Sequence, residues 1–132
     1  MCHQLVNNAA ISNVQGVSAR EEYKRLYNTN LFGTIGCTQA FVPLLRESTA
    51  PAGKRIIFVS STVATFAYAA DAKGAGGVYL PAKLYPIYRS SKSALNMVML
   101  GLAETLGEEG FTVGGICPGY CSMWNDKYCQ IC

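Results

Sequence analysis

Short apolar runs alternate along the chain with longer segments of helical period, a pattern that predicts β/α units around a parallel sheet. The first run, Leu5-Val6, gives way at once to Asn7-Asn8-Ala9-Ala10. Ser18-Ala19-Arg20-Glu21 has the form of a capping box and predicts a helix running to about Leu45, with a break or bend before Pro43. The stretch from Leu31 to Val42 holds Gly33 and Gly36 but no charge. Glycine inside a helix costs about 1 kcal/mol relative to alanine, so the expectation is a buried helix whose glycines permit close packing on a sheet. Arg55-Ile56-Ile57-Phe58-Val59 is apolar on both faces, as a central parallel strand requires, and ends at Ser60-Ser61.

Residues 62–86 are poor in charge, contain Gly74, Gly76, Gly77 and Pro81, and read as a long loop with a short helix. A strong helix is predicted over Tyr88–Glu109, closed by Gly110, with Leu95, Val98, Met99, Leu102 and Leu106 as its apolar stripe. Thr112–Ile116 is the last strand and ends at Cys117-Pro118-Gly119. Beyond Ser122 no period is visible, and the chain shows neither an internal repeat nor a second domain.

Composition sharpens this picture. Only 14% of the 132 residues are charged, against about 25% in an average soluble domain. The expectation is part of a larger domain, the remainder of which covers apolar faces. The net charge of +3 comes from scattered Lys and Arg, which argues against nucleic-acid binding. The N-terminal residues do not form a signal peptide, and the longest uncharged stretch, Asn28 to Leu45, is too polar to span a membrane. A soluble, cytoplasmic chain is expected. Of six cysteines, Cys117, Cys121, Cys129 and Cys132 cluster near the end. A zinc module there is the weakest reading, because no histidine or further ligand spacing supports it; free thiols are expected and no metal site is assigned.

The candidate chemistry gathers at predicted strand ends: Asn7-Asn8, Ser60-Ser61 and Pro118-Gly119. In doubly wound sheets, ligands bind outside the carboxyl ends of the strands. Tyr88 and Lys92 are four residues apart and share a helix face. A phenol with a pKa of about 10 is a poor acid or base at neutral pH, and a nearby ammonium lowers that value. A Tyr-x-x-x-Lys pair can therefore exchange protons with an alcohol or carbonyl.

Taken together these segments resemble the short-chain dehydrogenase/reductase family. Asn7-Asn8-Ala9-Ala10 is similar to the family's Asn-Asn-Ala-Gly, and Asn30 matches its mid-helix catalytic asparagine. Ile56–Ser61 matches the strand that delivers the catalytic serine, with Ser61 the better fit. Tyr88-Arg89-Ser90-Ser91-Lys92 matches Tyr-x-x-x-Lys, and Cys117-Pro118-Gly119 matches the turn beside the nicotinamide. The motifs stand in family order over about residues 5–121. The resemblance implies an α/β fold, a partial doubly wound (Rossmann-like) parallel sheet lacking the N-terminal nucleotide-binding β/α units. Residues 1–121 would be the C-terminal catalytic part of one NAD(P)-binding domain, and 122–132 a divergent tail.

The resemblance further implies an NAD(P)-dependent oxidoreductase acting on a small-molecule alcohol or carbonyl. Tyr88 would be the acid/base. Lys92 would lower its pKa and bind the cofactor ribose, Ser61 would hydrogen-bond the substrate oxygen, and Asn30 would hold a relay water. Asn8, Ala9, Ala10, Tyr88, Lys92, Pro118 and Gly119 would border the cofactor. The Gly-rich phosphate loop is absent from the sequence, and Met123 stands where the family usually has Thr. The long gap between Ser61 and Tyr88 is similar to that of the carbonyl-reductase-like branch, which slightly favours NADP and a monomeric complete protein. The chain is therefore expected to be truncated at both ends. The alternative is an inactive derivative acting as a partner-binding or regulatory chain.

Overall fold

The computed structural model describes residues 2–51, 53–70 and 83–119. Three parallel strands form one sheet in the order β1 (Gln4–Asn7), β2 (Lys54–Val59), β3 (Phe111–Ile116). The register sets Leu5 beside Ile56 and Ile56 beside Val113. All three strands therefore end on the same edge, with Val59 level with Ile116 and Asn7 beside Phe58, one residue short of them. The remaining elements are α1 (Ala19–Tyr27), a π-helical stretch (Asn28–Gly33), α2 (Thr34–Arg46), a 3-10 turn (Thr62–Ala64), α3 (Phe66–Ala70) and α4 (Pro86–Gly107).

Strand period decides which side chains are covered. Leu5, Ile56, Phe58 and Phe111 point to one face and pack with Val42 and Leu45 of α2 and Leu95 and Leu106 of α4. Burying each such side chain stabilises the fold by about 1.5–3 kcal/mol. The predicted stripe on α4 lies against this core, with Val98, Met99 and Leu102 at its margin. The opposite face carries Val6 and Ile116, which remain 47% and 50% exposed among the described residues.

Local chemistry explains the helix ends. The Ser18 hydroxyl accepts the Glu21 N–H at 3.3 Å and caps α1. Pro86 opens α4 two residues before Tyr88, a first-turn position where a missing N–H costs nothing. Gly110, at φ +80°, turns the chain out of the helix into β3.

Two features of the second helical segment differ from expectation. Its irregularity lies at Asn28–Gly33, not before Pro43, which sits inside α2. Pro43 and Gln39 are exposed, so water can take the Gln39 carbonyl that proline leaves without a donor. The glycines do not serve packing on the sheet. A Cβ at Gly33 would meet the Asn28 carbonyl at 3.0 Å, whereas one at Gly36 would meet nothing within 4 Å. Gly33 thus accommodates the π turn, and Gly36 is simply exposed. Nor is the uncharged segment wholly buried, since Phe32 and Leu44 are largely exposed.

No described helix is long and apolar enough to cross a membrane. Gly74, Gly76, Gly77, Pro81, the tail from Ser122, and Cys121, Cys129 and Cys132 lie outside the described residues.

Candidate active site

The carboxyl ends of the three strands bring the predicted site residues to one edge of the sheet. Ser60 and Ser61 follow β2 directly, and the Ser60 N–H donates to the Ile116 carbonyl at 2.8 Å, tying the ends of β2 and β3 together. The two serines then diverge. The Ser60 hydroxyl bonds to Asn96 on α4, while the Ser61 hydroxyl lies near the phenol of Tyr88 and acts to lower its pKa. Ser61 is therefore the serine at the phenol, and Ser60 is a fastening of the turn to the helix.

The first turns of α4 supply the other polar groups. Tyr88 is half-buried and Lys92 is 2% exposed. The Lys92 ammonium donates to the Val59 carbonyl at 2.7 Å and lies 6.0 Å from the centre of the Tyr88 ring, the outer limit for a cation–π contact. Burial pushes the Tyr88 phenol above its ordinary value; the Ser61 hydroxyl opposes this, and the nearby Cys117 adds to it. Burial likewise holds Lys92 below its ordinary value. Lys92 is not among the groups that shift the phenol in this arrangement. The ammonium is turned to a backbone carbonyl, and desolvation outweighs the other influences on the phenol.

Asn30, fully buried in the π stretch, is a junction. Its amide exchanges two hydrogen bonds with the Ile11 backbone, both at 2.8 Å, and donates a third to the Ser91 hydroxyl at 3.0 Å. Ser91 in turn donates to the Tyr88 carbonyl at 2.8 Å. Both amide hydrogens of Asn30 are occupied, so a relay water is left the second lone pair of Oδ1 or the main-chain carbonyl, which already accepts the Thr34 hydroxyl at 3.1 Å. Asn30 connects the segment after β1 to the helix that carries Tyr88 and Lys92.

The remaining expected residues line the strand ends. Asn7 is buried and donates to the Thr38 hydroxyl at 3.0 Å, whereas Asn8, Ala9 and Ala10 are exposed just beyond β1. Pro118 and Gly119 are exposed, with Gly119 at φ +75°. Two participants, Ser91 and Cys117, were quoted within motifs but given no role of their own from the sequence. Ser91 lies within the Tyr-x-x-x-Lys segment, and its spacing from Tyr88 is the signal that could have found it. The Cys117 thiol accepts the Thr62 N–H at 3.0 Å and so holds the turn that follows Ser61. Beside Tyr88 opens a cleft of about 250 Å³, walled also by Ser12, Asn13, Glu22, Tyr85 and Ile87.

The residues present fit the ribose and nicotinamide end of a dinucleotide. An ammonium has three donors, and the Val59 carbonyl takes one of those on Lys92, leaving two for ribose hydroxyls. Small side chains at Ala9 and Ala10 and the left-handed backbone of Gly119 leave the strand ends open to close approach.

Comparison with known proteins shows similarity of sequence and fold. A family model described as short chain dehydrogenase matches residues 2–128. The short-chain dehydrogenase/reductase tropE of Talaromyces stipitatus is 36% identical over 130 residues, covering 88% of this chain and 46% of that protein. Among solved structures, the RhlG/NADP active-site complex of Pseudomonas aeruginosa is 30% identical with a TM-score of 0.63, covering 90% of this chain and 41% of that one. Sniffer of Caenorhabditis elegans, solved under the description of a carbonyl reductase, shares the fold with a TM-score of 0.68 at 24% identity, over 89% of this chain and 51% of that one. The chain spans about half the length of the curated relatives it matches.

Proposed function

The chain belongs to the short-chain dehydrogenase family, and from that premise we propose that it carries the acid/base half of an NAD(P)-dependent oxidoreductase interconverting an alcohol and a carbonyl. The observation that carries the reading is the gathering of Ser61, at the end of β2, and Tyr88, at the start of α4, at the carboxyl edge of the sheet, with Lys92 one helical turn further on and fastened to the Val59 carbonyl.

In the reducing direction the protonated phenol of Tyr88 donates its hydrogen to the substrate oxygen as negative charge develops there, and solvent then reprotonates it. Burial favours that starting form, since it keeps the phenol neutral. Ser61 donates a hydrogen bond to the same oxygen, so that oxygen accepts from both hydroxyls. Asn30 and Ser91 act on geometry, holding the start of α4 against the segment after β1. Lys92 would hold the ribose with its two spare donors. A nicotinamide, when bound, supplies or accepts the hydride. The likeness to RhlG, solved with NADP, favours NADP. Recognition of the pyrophosphate is assigned to no residue of this sequence, which contains no Gly-rich phosphate loop.

Tyr88→Phe tests the reading, because it keeps the ring and removes only the proton. In the longest form of the protein that carries this chain, carbonyl turnover followed by NAD(P)H absorbance should fall at least about a hundredfold, with cofactor affinity unchanged. Turnover within a few-fold of the parent would refute the role of Tyr88.

A further inference from the structure

The cleft beside Tyr88 has a definite chemical character. Its volume of about 250 Å³ suits one substituted ring, given that a cavity of about 150 Å³ accepts benzene. Ser12, Asn13 and Tyr85 contribute neutral polar groups, and among the described residues the only formally charged side chain on its wall is Glu22. That carboxylate is half-buried and makes one long contact, accepting the Val14 N–H at 3.4 Å. A carboxylate can accept about four hydrogen bonds, so most of its capacity is unused. Nor does a cation neutralise it. The neighbouring Arg25 is paired at 2.9 Å with Glu21, and among the described residues Glu22 has no ion-pair partner.

The opposite lip is held in an unusual conformation. Tyr85 has φ +54° and ψ +44°, the one non-glycine residue with positive φ among those described, and its side chain is mostly exposed. A bulky residue in this region stores roughly 1–3 kcal/mol of strain, and such strain gathers at ligand sites. Pro86, which follows, disfavours the right-handed helical alternative. The chain thus turns at Tyr85 immediately before the helix that carries Tyr88.

We infer that Glu22 is a specificity-determining residue: it selects substrates that carry a hydrogen-bond-donating hydroxyl or ammonium group away from the reacting carbon, and it rejects carboxylates. The inference rests on the reading of Tyr88 as the acid/base, since that places the reacting carbon at the Tyr88 end of the cleft. Tyr85 bounds the same cleft and supplies an aromatic wall for the ring between the two ends.

The test separates binding from turnover. The complete chain, isotope-labelled, is titrated by NMR with three benzyl alcohols bearing a meta aminomethyl, hydroxymethyl or carboxylate group. The aminomethyl probe should bind about tenfold more tightly than the carboxylate, with the hydroxymethyl between, and the shifts should centre on Glu22 and Tyr85. Glu22→Gln keeps an oxygen for the Val14 N–H and should compress the range to within about twofold, while Glu22→Lys should invert the order. An unchanged order in Glu22→Gln, no discrimination in the parent, or no binding at this cleft would each overturn the inference. Charge selectivity and turnover that both survive Tyr88→Phe would instead leave the inference standing and refute the catalytic reading alone.

Discussion

Replacing Asn30 offers the most informative perturbation of the fold around the site. Asn30→Ala removes three hydrogen bonds, two part-buried ones to Ile11 and a buried one to Ser91. At about 1 kcal/mol net each, the loss is roughly 3 kcal/mol. Ile11 is only half-buried, so water can partly satisfy its N–H and C=O, which brings the expected loss to about 2–3 kcal/mol. For a chain of this size that lowers the thermal midpoint by roughly 6–15 °C. Asn30→Asp is nearly isosteric, yet it should be at least as damaging at neutral pH. Its carboxylate still accepts the Ile11 N–H, but it sets an acceptor against the Ile11 carbonyl. Ser91 cannot relieve it, because that hydroxyl already donates to the Tyr88 carbonyl. Protonation restores the missing donor, so the Asp variant should recover toward the parent as the pH falls below about 5. Thermal melts by circular dichroism at neutral and acidic pH measure all of this. An Asp variant as stable as the parent at neutral pH, or an Ala variant within about 0.5 kcal/mol of it, would refute the junction assigned to Asn30.

The buried pair on α4 should also make stability depend on alkaline pH. Tyr88 has a raised pKa, so its contribution is present below its unfolded value of about 10 and is lost as pH rises through its folded pKa; Tyr88→Phe should remove that loss. Lys92 has a lowered pKa, so its contribution is present above its unfolded value of about 10.5 and is lost as pH falls through its folded pKa; Lys92→Met should flatten that slope, read from denaturant midpoints between pH 8 and 11. A third expectation concerns the open sheet face: Val6→Thr and Ile116→Thr together should reduce light scattering at a fixed concentration while leaving the thermal midpoint within about 2 °C, and unchanged scattering would show that this face does not drive association.

What the sequence made legible follows from what repeats along it. Ile56 and Phe58 alternate as a strand requires, and Leu95, Leu102 and Leu106 recur at helical spacing; both sets lie in or against the core. Ser18 caps its helix through the expected Glu21 N–H. The misreadings occur where conformation depends on geometry that no period encodes. The π turn is one case, for Gly33 was read as a packing glycine when its neighbour is the Asn28 carbonyl of its own helix. Pro43 is another, because a proline at an exposed helical position is tolerated when solvent can reach the carbonyl one turn back. The direction of the Lys92 ammonium was equally hidden. Its spacing from Tyr88 places both on one face, but the choice between phenol and carbonyl belongs to the end of β2, which ends at Val59 beside it.

The organisation of the sheet bears on how far the proposed chemistry depends on the rest of a longer protein. Tyr88, Ser91 and Lys92 come from α4, Asn30 from the stretch joining α1 to α2, and Ser61 from the end of β2. The core that fixes these elements, Leu5, Ile56 and Phe58 against Val42, Leu45 and Leu95, lies wholly on the helix-covered face. Val6 and Ile116 on the other face contribute to none of these contacts, so whatever covers them acts on solubility and strand pairing rather than on the spacing of the hydroxyls. The relative placement of Tyr88, Lys92, Ser61 and Asn30 is therefore set by local packing within the described residues. Holding a dinucleotide asks more, because its pyrophosphate meets no residue assigned to it in this sequence. Proton transfer and cofactor affinity are on this view separable properties, and the substitutions at Asn30 and Tyr88 probe only the first.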